Sequence, residues 1–194
     1  MISSELLYSL VNTSEFNPEK FRTEDSKVVV RTRQDVTESQ LDTAIWLWFM
    51  GMDAVSICTL VSAALEILTQ LGKKTGKSSH IYSKEMHKLL GKKLKMAPNF
   101  FKHASTDRSH VLKFAPTVNE FLLMDALNLY GKIYGSLSPL MNTFRAWFVV
   151  VRGRGGMRSE ELQIMLPQCA LIEDLIKLSR REFIEKVFPL FMEE

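Results

Sequence analysis

The fold is decided by residues 53–72, which read DAVSICTLVSAALEILTQLG. Aspartate is a preferred residue at the position that caps the N-terminus of a helix, and glycine often ends a helix in the left-handed conformation. Between Asp53 and Gly72 two thirds of the residues are apolar, and Glu66 is the only charged one. We therefore predict a buried core helix through Leu71, in which Asp53 is a structural cap rather than a catalytic acid.

The most apolar part of the chain, residues 43–71, also has to be considered as a membrane span. Asp53 and Glu66 divide it, and the uncharged runs that precede each of them are ten and twelve residues long. A helix needs roughly 18 to 20 apolar residues to cross a bilayer. We therefore expect no membrane span.

The N-terminal residues and the cysteines bear on the cellular compartment. Residues 1–20 include Glu5 and Glu15 and lack the basic start and apolar core of a signal peptide. Cys58 and Cys169 stand in apolar segments, where a free thiol is usually buried. We expect a cytoplasmic protein with two buried free thiols.

The sequence outside this stretch also favours helices. Thr37 with Gln40, and Thr117 with Glu120, have the spacing of capping boxes. The predicted helices cover residues 3–11, 38–50, 54–71, 84–93, 98–104, 118–134, 139–150 and 159–188, the last bent near Pro167. In the helix over 118–134 the polar residues fall on one side, and they are Glu120, Asp125, Asn128, Gly131 and Lys132.

These patterns predict an all-α fold, a single-domain helical bundle of six to eight helices. The length of 194 residues, with 46% hydrophobic and 24% charged residues, suits one globular domain and excludes a disordered chain or a disulfide scaffold. Residues 27–33 (KVVVRTR) are β-branched but have no partner strand, so we assign residues 1–36 to an N-terminal helix and extended arm. The bundle domain is residues 37–194.

Positive charge is concentrated in one segment. The chain has a formal net charge of +3, but residues 72–113 hold eleven Lys and Arg against two acidic residues, so this segment is +9 and the remainder −6. A block of this kind attracts polyanions, because each neutralised phosphate releases a counterion. It can equally be a solvated face or a subunit contact.

Two motifs for cofactors are incomplete. Residues 72–79, GKKTGKSS, have three residues between Gly72 and Gly76 where a phosphate-binding P-loop has four, and a predicted helix rather than a strand precedes them. The histidines form two pairs seven residues apart without a nearby cysteine to complete a zinc site, and they are His80, His87, His103 and His110. We expect no cofactor and no metal.

The most informative local string is PNFFKHA, residues 98–104. Asn99 and His103 are four residues apart and share one face of a helix, and Lys102 adds a positive charge. An imidazole beside an amide and a cation can act as a general acid or base, or can bind phosphate. The pair can instead be structural, with Asn99 capping a short helix and His103 forming a hydrogen bond.

This string, with the apolar helix that precedes it, resembles the HEPN superfamily of small helical proteins. The longer stretch NFFKHASTDRSHVLKFAPTVNEFLLMDAL is similar to a set of uncharacterised bacterial proteins that share an NFFKHA-type string. The resemblance covers residues 38–134, roughly half of the chain. It implies an HEPN-like bundle that forms a homodimer.

HEPN nucleases cleave RNA without metal, using an arginine, a polar residue and a histidine. The resemblance matches Asn99 to the polar residue and His103 to the histidine, but Pro98 stands at the place of the arginine. A guanidinium that binds phosphate in two-pronged fashion is not readily replaced. Other HEPN-like proteins are non-catalytic binding or antitoxin-partner modules, and the missing arginine leads us to expect that this chain is one of them. The alternative is that Lys95, Lys102 or Arg108 takes the place of the arginine.

We therefore expect a non-catalytic HEPN-like module that binds RNA, another polyanion or an acidic partner protein. The expected binding residues are basic and lie in or near the PNFFKHA string, and they are Lys92, Lys93, Lys95, Lys102 and Arg108. The alternative is a metal-independent ribonuclease. In that case His103 would be the acid or base, Asn99 would orient the scissile phosphate, and Lys102 or Arg108 would stabilise charge.

Overall fold

The structure is a computed structural model that describes residues 31–78, 100, 113–153 and 172–192. Within these residues the chain forms six α-helices, one 3-10 helix and no strand. The helices are α1 (Arg33–Phe49), α2 (Ala54–Thr75), α3 (Val118–Tyr134), α4 (Pro139–Arg152), α5 (Ile172–Ile176) and α6 (Arg180–Val187), and the 3-10 helix is Phe188–Phe191. The all-α prediction is confirmed for the part of the chain described.

Helices α1 to α4 lie side by side, and hydrogen bonds fix their directions. At one end Asn119 Nδ2, in α3, donates to the Ala54 carbonyl of α2 at 2.8 Å. At the other end Lys77 Nζ donates to the carbonyl of Ile133 at 3.5 Å. Helices α2 and α3 are therefore parallel, whereas α1 and α4 run in the opposite direction.

The core is rich in aromatic side chains from α1, α4 and α6. The Trp48 ring packs edge-on against Phe144 and Trp147, with centroids 5.0 and 4.3 Å away. Phe49 stacks with Phe183 of α6 at 6.5 Å. Because such pairs contribute about 0.5–1.5 kcal/mol each beyond their buried area, they hold α4 and α6 against the end of α1.

Helix α2 is the predicted core helix. Asp53 caps it as predicted, with Oδ2 accepting from the Ser56 N–H at 2.7 Å, and Cys58 is a buried free thiol as predicted. Among the described helices, α2 alone is long and apolar enough to cross a membrane, a criterion that core helices of globular proteins also meet. It packs between α1 and α3. The absence of a membrane span stays a prediction, and Cys169 lies outside the described residues.

The predicted end of α2 at Gly72 is wrong. The helix continues to Thr75, and Gly76 ends it with φ +67, in the left-handed region. Gly72 has a different role, since a Cβ there would lie 2.5 Å from the Lys77 carbonyl oxygen and 3.3 Å from Leu129 Cδ1. The missing side chain lets the chain after α2 fold back onto the helix and lets α3 approach it.

The predicted start of α1 is also wrong. Thr32 is the N-cap and forms a capping box with Asp35, each side chain bonding the other's backbone N–H. Thr37 lies inside the helix, where its hydroxyl donates to the Arg33 carbonyl at 2.7 Å. Two overlapping capping signals stand in this stretch, and the earlier one starts the helix, so residues 33–36 are helical rather than extended.

The capping box predicted at Thr117 is not formed. Helix α3 does cover Val118–Tyr134 as predicted, but the Thr117 side chain makes no cap hydrogen bond. Glu120 is completely buried, and its oxygens accept from Arg152 Nε at 2.8 Å and from Arg180 Nη2 at 3.1 Å. Two distant arginines, which a local pattern does not reveal, draw this carboxylate inward from the predicted polar side.

Candidate functional site

The residues predicted from the PNFFKHA string lie outside the described residues. These are Asn99, His103, Lys92, Lys93, Lys95, Lys102 and Arg108. Phe100 is the one described member of the string, and it is 37% exposed. The site predictions that depend on these side chains stay predictions.

The beginning of the basic segment is described, and its three lysines form a cluster with a fourth lysine from α3. Lys73, Lys74 and Lys77 stand exposed at the end of α2, and Lys132 stands exposed in the last turn of α3. We call these four residues the basic corner. Because α2 and α3 are parallel, their C-termini meet here, and the lysines also offset the negative ends of both helix dipoles.

Two hydrogen bonds join the halves of the basic corner. Lys132 Nζ donates to the Ser78 carbonyl at 2.8 Å, and Lys77 Nζ donates to the Ile133 carbonyl at 3.5 Å. Each lysine therefore binds backbone of the neighbouring helix end and is not neutralised in these contacts. Ser78, within the +9 segment, therefore lies beside Lys132.

A pocket of about 520 Å³ opens between α3 and α4 next to the basic corner. Its volume is within the range of about 300–1,000 Å³ that is typical of small-molecule sites. Its polar lining comes from Asn128 and Lys132 of α3 and from Asn142 and Arg145 of α4. The remaining lining is apolar or glycine, and it consists of Met124, Leu127, Gly131, Gly135 and Leu137. Lys132 thus belongs both to the pocket and to the basic corner.

Helix periodicity explains why these four polar side chains converge. Asn128 and Lys132 are four residues apart on α3, and Asn142 and Arg145 are three apart on α4, so each pair occupies one face of its helix. Ser138 begins α4 by accepting a hydrogen bond from the Met141 N–H at 3.1 Å, with Pro139 in the first turn. The short connection from Gly135 holds the two polar faces together.

Two of the pocket's polar side chains lack a protein partner. Within the described part of the chain, neither the Asn128 amide nor the Arg145 guanidinium makes a hydrogen bond or an ion pair, although both are half-buried. Asn142 makes one weak bond, from Nδ2 to the Leu137 carbonyl at 3.5 Å. An unpaired, half-buried guanidinium beside amide groups is suited to bind an anion with carboxylate or phosphate geometry.

A pair of carboxylates lies at the same end of the bundle, where α1 meets α3 and α4. Tyr130 Oη donates to Glu38 Oε2 at 2.8 Å, and Ser138 Oγ donates to Asp42 Oδ1 at 2.7 Å. Burial raises the pKa of Asp42 to about 7, the hydrogen bond from Ser138 opposes this rise, and Glu38 adds to it. Burial and the bond to Glu38 also raise the pKa of Tyr130. These contacts join α1 to α3 and α4.

No group of three or more His, Cys, Asp or Glu side chains suitable for a metal ion occurs among the residues described. Comparisons of the whole chain with protein-family models, with curated proteins and with solved structures find no match. The resemblance to HEPN proteins, the homodimer and the cytoplasmic location therefore stay predictions. The basic corner and the adjoining pocket are the features from which function can be argued.

Sequence reasoning missed the pocket. It placed Asn128, Gly131 and Lys132 on the polar side of α3 but had no reason to pair them with α4. The available signal was Arg145, a charged residue in the middle of a largely apolar helix, three residues after Asn142. The positions of the two helices relative to each other supply the missing information.

Proposed function

We propose that the protein is a non-catalytic RNA-binding module that holds the phosphate backbone at the basic corner and along the basic segment that follows it. The observation that carries the proposal is the pair of hydrogen bonds between the ends of α2 and α3. These bonds bring Lys77, at the start of the +9 segment, next to Lys132, beside the pocket. The three lysines at the end of α2 and Lys132 of α3 thereby contribute to one positive surface.

The chemistry of the four lysines supports a polyanion as the ligand. All four are exposed and none forms an ion pair with a described acidic residue, in contrast to Lys177 and Arg181 at the opposite end of the bundle. Cations without fixed counter-ions release bulk counterions from a polyanion when it binds, which is a favourable and salt-dependent term. The basic segment has a net charge of +9 over residues 72–113, which is enough to bind more than one phosphate.

The test is a gel experiment with end-labelled, mixed-sequence RNA at low and moderate salt in the presence of EDTA. Native lanes report binding and denaturing lanes report cleavage. We expect a shift that is lost at moderate salt, with the RNA intact. The HEPN-type alternative predicts instead cleavage that disappears in His103→Ala, which would overturn the non-catalytic assignment.

Two variants with matched charge locate the surface. Replacing Lys73, Lys74 and Lys77 by glutamine removes three of the four charges of the basic corner. Replacing Lys177, Arg181 and Lys186 by glutamine removes three exposed charges from the opposite end of the bundle. Weaker binding in the first variant alone is the expected result. Equal weakening in both would show that net charge rather than this surface attracts the RNA, and no binding by the unmodified protein would refute the proposal.

A further inference from the structure

We propose that the pocket between α3 and α4 binds a terminal nucleotide through its phosphate monoester, with Arg145 and Lys132 as the anion-binding groups. The inference rests on the proposed function, since the same pocket opens beside the basic corner that would hold the rest of the RNA. The basic corner would contact the phosphate backbone at any position along the RNA, whereas the pocket would select the end of the chain.

The charges favour a phosphate monoester over a phosphodiester. Two cations and no acidic side chain line the pocket among the described residues. A phosphate monoester carries about −1.5 to −2 charges near pH 7, whereas each internal phosphodiester carries a single charge. The pair Arg145 and Lys132 therefore matches the end of a phosphorylated chain better than its interior.

The geometry of the donors also fits phosphate. Arg145 presents a planar set of donors that can bind two phosphate oxygens at once, and it has no protein partner among the described residues to compete for them. Lys132 uses one hydrogen-bond donor on the Ser78 carbonyl at 2.8 Å, and an ammonium group has three. Two donors of Lys132, which lines the pocket, therefore stay available for an anion.

The volume and the remaining lining suit a nucleotide rather than an isolated phosphate ion. About 520 Å³ leaves room for a sugar and a base beyond the phosphate. Met124, Leu127 and Leu137 supply an apolar surface for a base, and Asn128 and Asn142 supply amides that can hydrogen-bond to base or sugar edges. One pocket thus offers a partner for each part of a nucleotide.

The experiment compares three short RNAs of one sequence that carry a 5′-phosphate, a 3′-phosphate or hydroxyls at both ends. We expect one of the phosphorylated RNAs to bind about tenfold more tightly than the hydroxyl-ended RNA. A nucleoside monophosphate of the matching type should compete for that added affinity. If the free nucleotide binds but neither phosphorylated end is preferred, the inference about an RNA terminus is overturned, and the pocket takes a free nucleotide instead.

Two variants assign the preference to the pocket. Arg145→Gln should abolish the preference for the phosphorylated end and should weaken the binding of hydroxyl-ended RNA by much less. Asn128→Asp keeps the size of the side chain and places a negative charge in the pocket, so it should also reduce the preference for the phosphorylated end. It serves as the second variant if Arg145→Gln proves unstable. An unchanged preference in folded variants would refute the inference.

The outcomes separate this inference from the proposed function. Equal binding of all three RNAs would overturn the terminal-nucleotide site and leave the RNA-binding proposal intact. Failure of all three to bind would overturn both. Thermal unfolding of each variant, followed by circular dichroism, verifies that the bundle is folded before affinities are compared.

Discussion

Glu120 provides the most demanding test of how the bundle is held together. Its carboxylate is completely buried and receives Nε of Arg152 at 2.8 Å and Nη2 of Arg180 at 3.1 Å. These contacts connect α3 to the end of α4 and to α6. The guanidinium of Arg180 also lies 3.9 Å from the centre of the Trp48 ring, so the network reaches α1. Replacing Glu120 by glutamine keeps its size and removes its charge.

The expected loss of stability follows from which partners can reach water. Breaking a buried ion pair by removing one partner costs about 3–5 kcal/mol when the other partner stays buried. Here the arginine side chains are 43% and 41% exposed, so water can solvate them after the change, and glutamine can still accept one of the hydrogen bonds. We therefore expect Glu120→Gln to lower the free energy of unfolding by about 2 kcal/mol.

Urea unfolding followed by circular dichroism measures this loss. Glu185→Gln is the matched control, because Glu185 forms an exposed pair with Arg181 at 3.1 Å within α6 and should contribute less than about 0.5 kcal/mol. In an Arg180→Met background the cost of Glu120→Gln should fall, with a coupling of about 1 kcal/mol. If Glu120→Gln lowers the free energy of unfolding no more than the control does, the ion pairs of Glu120 do not stabilise the packing of α3 against α4 and α6, and the assignment is refuted.

Three further predictions concern the helix ends and the buried acid. Gly72→Ala should lower the free energy of unfolding by about 1–3 kcal/mol, because its Cβ would lie 2.5 Å from the Lys77 carbonyl oxygen. In the same urea assay Gly131→Ala is the control. Its Cβ meets only Leu137, at 3.5 Å, so this change should be neutral or stabilising. Asp53→Ala should cost about 1 kcal/mol at neutral pH, since it removes the acceptor for the Ser56 N–H, and Asp53→Asn should recover most of that loss in a thermal melt. The pKa of Asp42 is raised to about 7 in the folded protein, against about 3.9 in the unfolded chain. Between these two pH values the folded state binds more protons than the unfolded state. The free energy of unfolding should therefore fall as pH rises from about 4 to about 7. Asp42→Asn should remove this component of the pH dependence, and an unchanged dependence in the variant would contradict the assignment to Asp42.

The helices could be predicted from the sequence because their signals are local. The start of α4 is marked by Ser138 and Pro139, and the apolar pattern of α3 ends at Tyr134 as predicted. The start of α1 was wrong because two local capping signals overlap, and the errors at Gly72 and Glu120 arose where a tertiary contact decides the outcome. Gly72 has the residue type of a helix end, but it is needed for close packing against the chain near Lys77 and against Leu129.

In the candidate site, too, the sequence predicts some features, and others depend on tertiary contacts. The excess of positive charge in residues 72–113 can be counted in the sequence, and it led to the expected polyanion surface. The pocket could not be predicted, because Asn128 and Arg145 become neighbours only when α3 and α4 pack antiparallel. Glu120 gives the converse case, in which a residue on the predicted polar side is buried by two arginines that lie 32 and 60 positions away in sequence.

The most direct test of the central claim is the salt dependence of RNA binding. For single-stranded RNA, each phosphate neutralised by a lysine contributes about 0.7 to the slope of log affinity against log salt concentration. We predict that replacing Lys73, Lys74 and Lys77 by glutamine makes this slope shallower by about 2, while replacing Lys177, Arg181 and Lys186 leaves it unchanged. An identical slope in both variants and in the unmodified protein would contradict an RNA-binding surface at the basic corner.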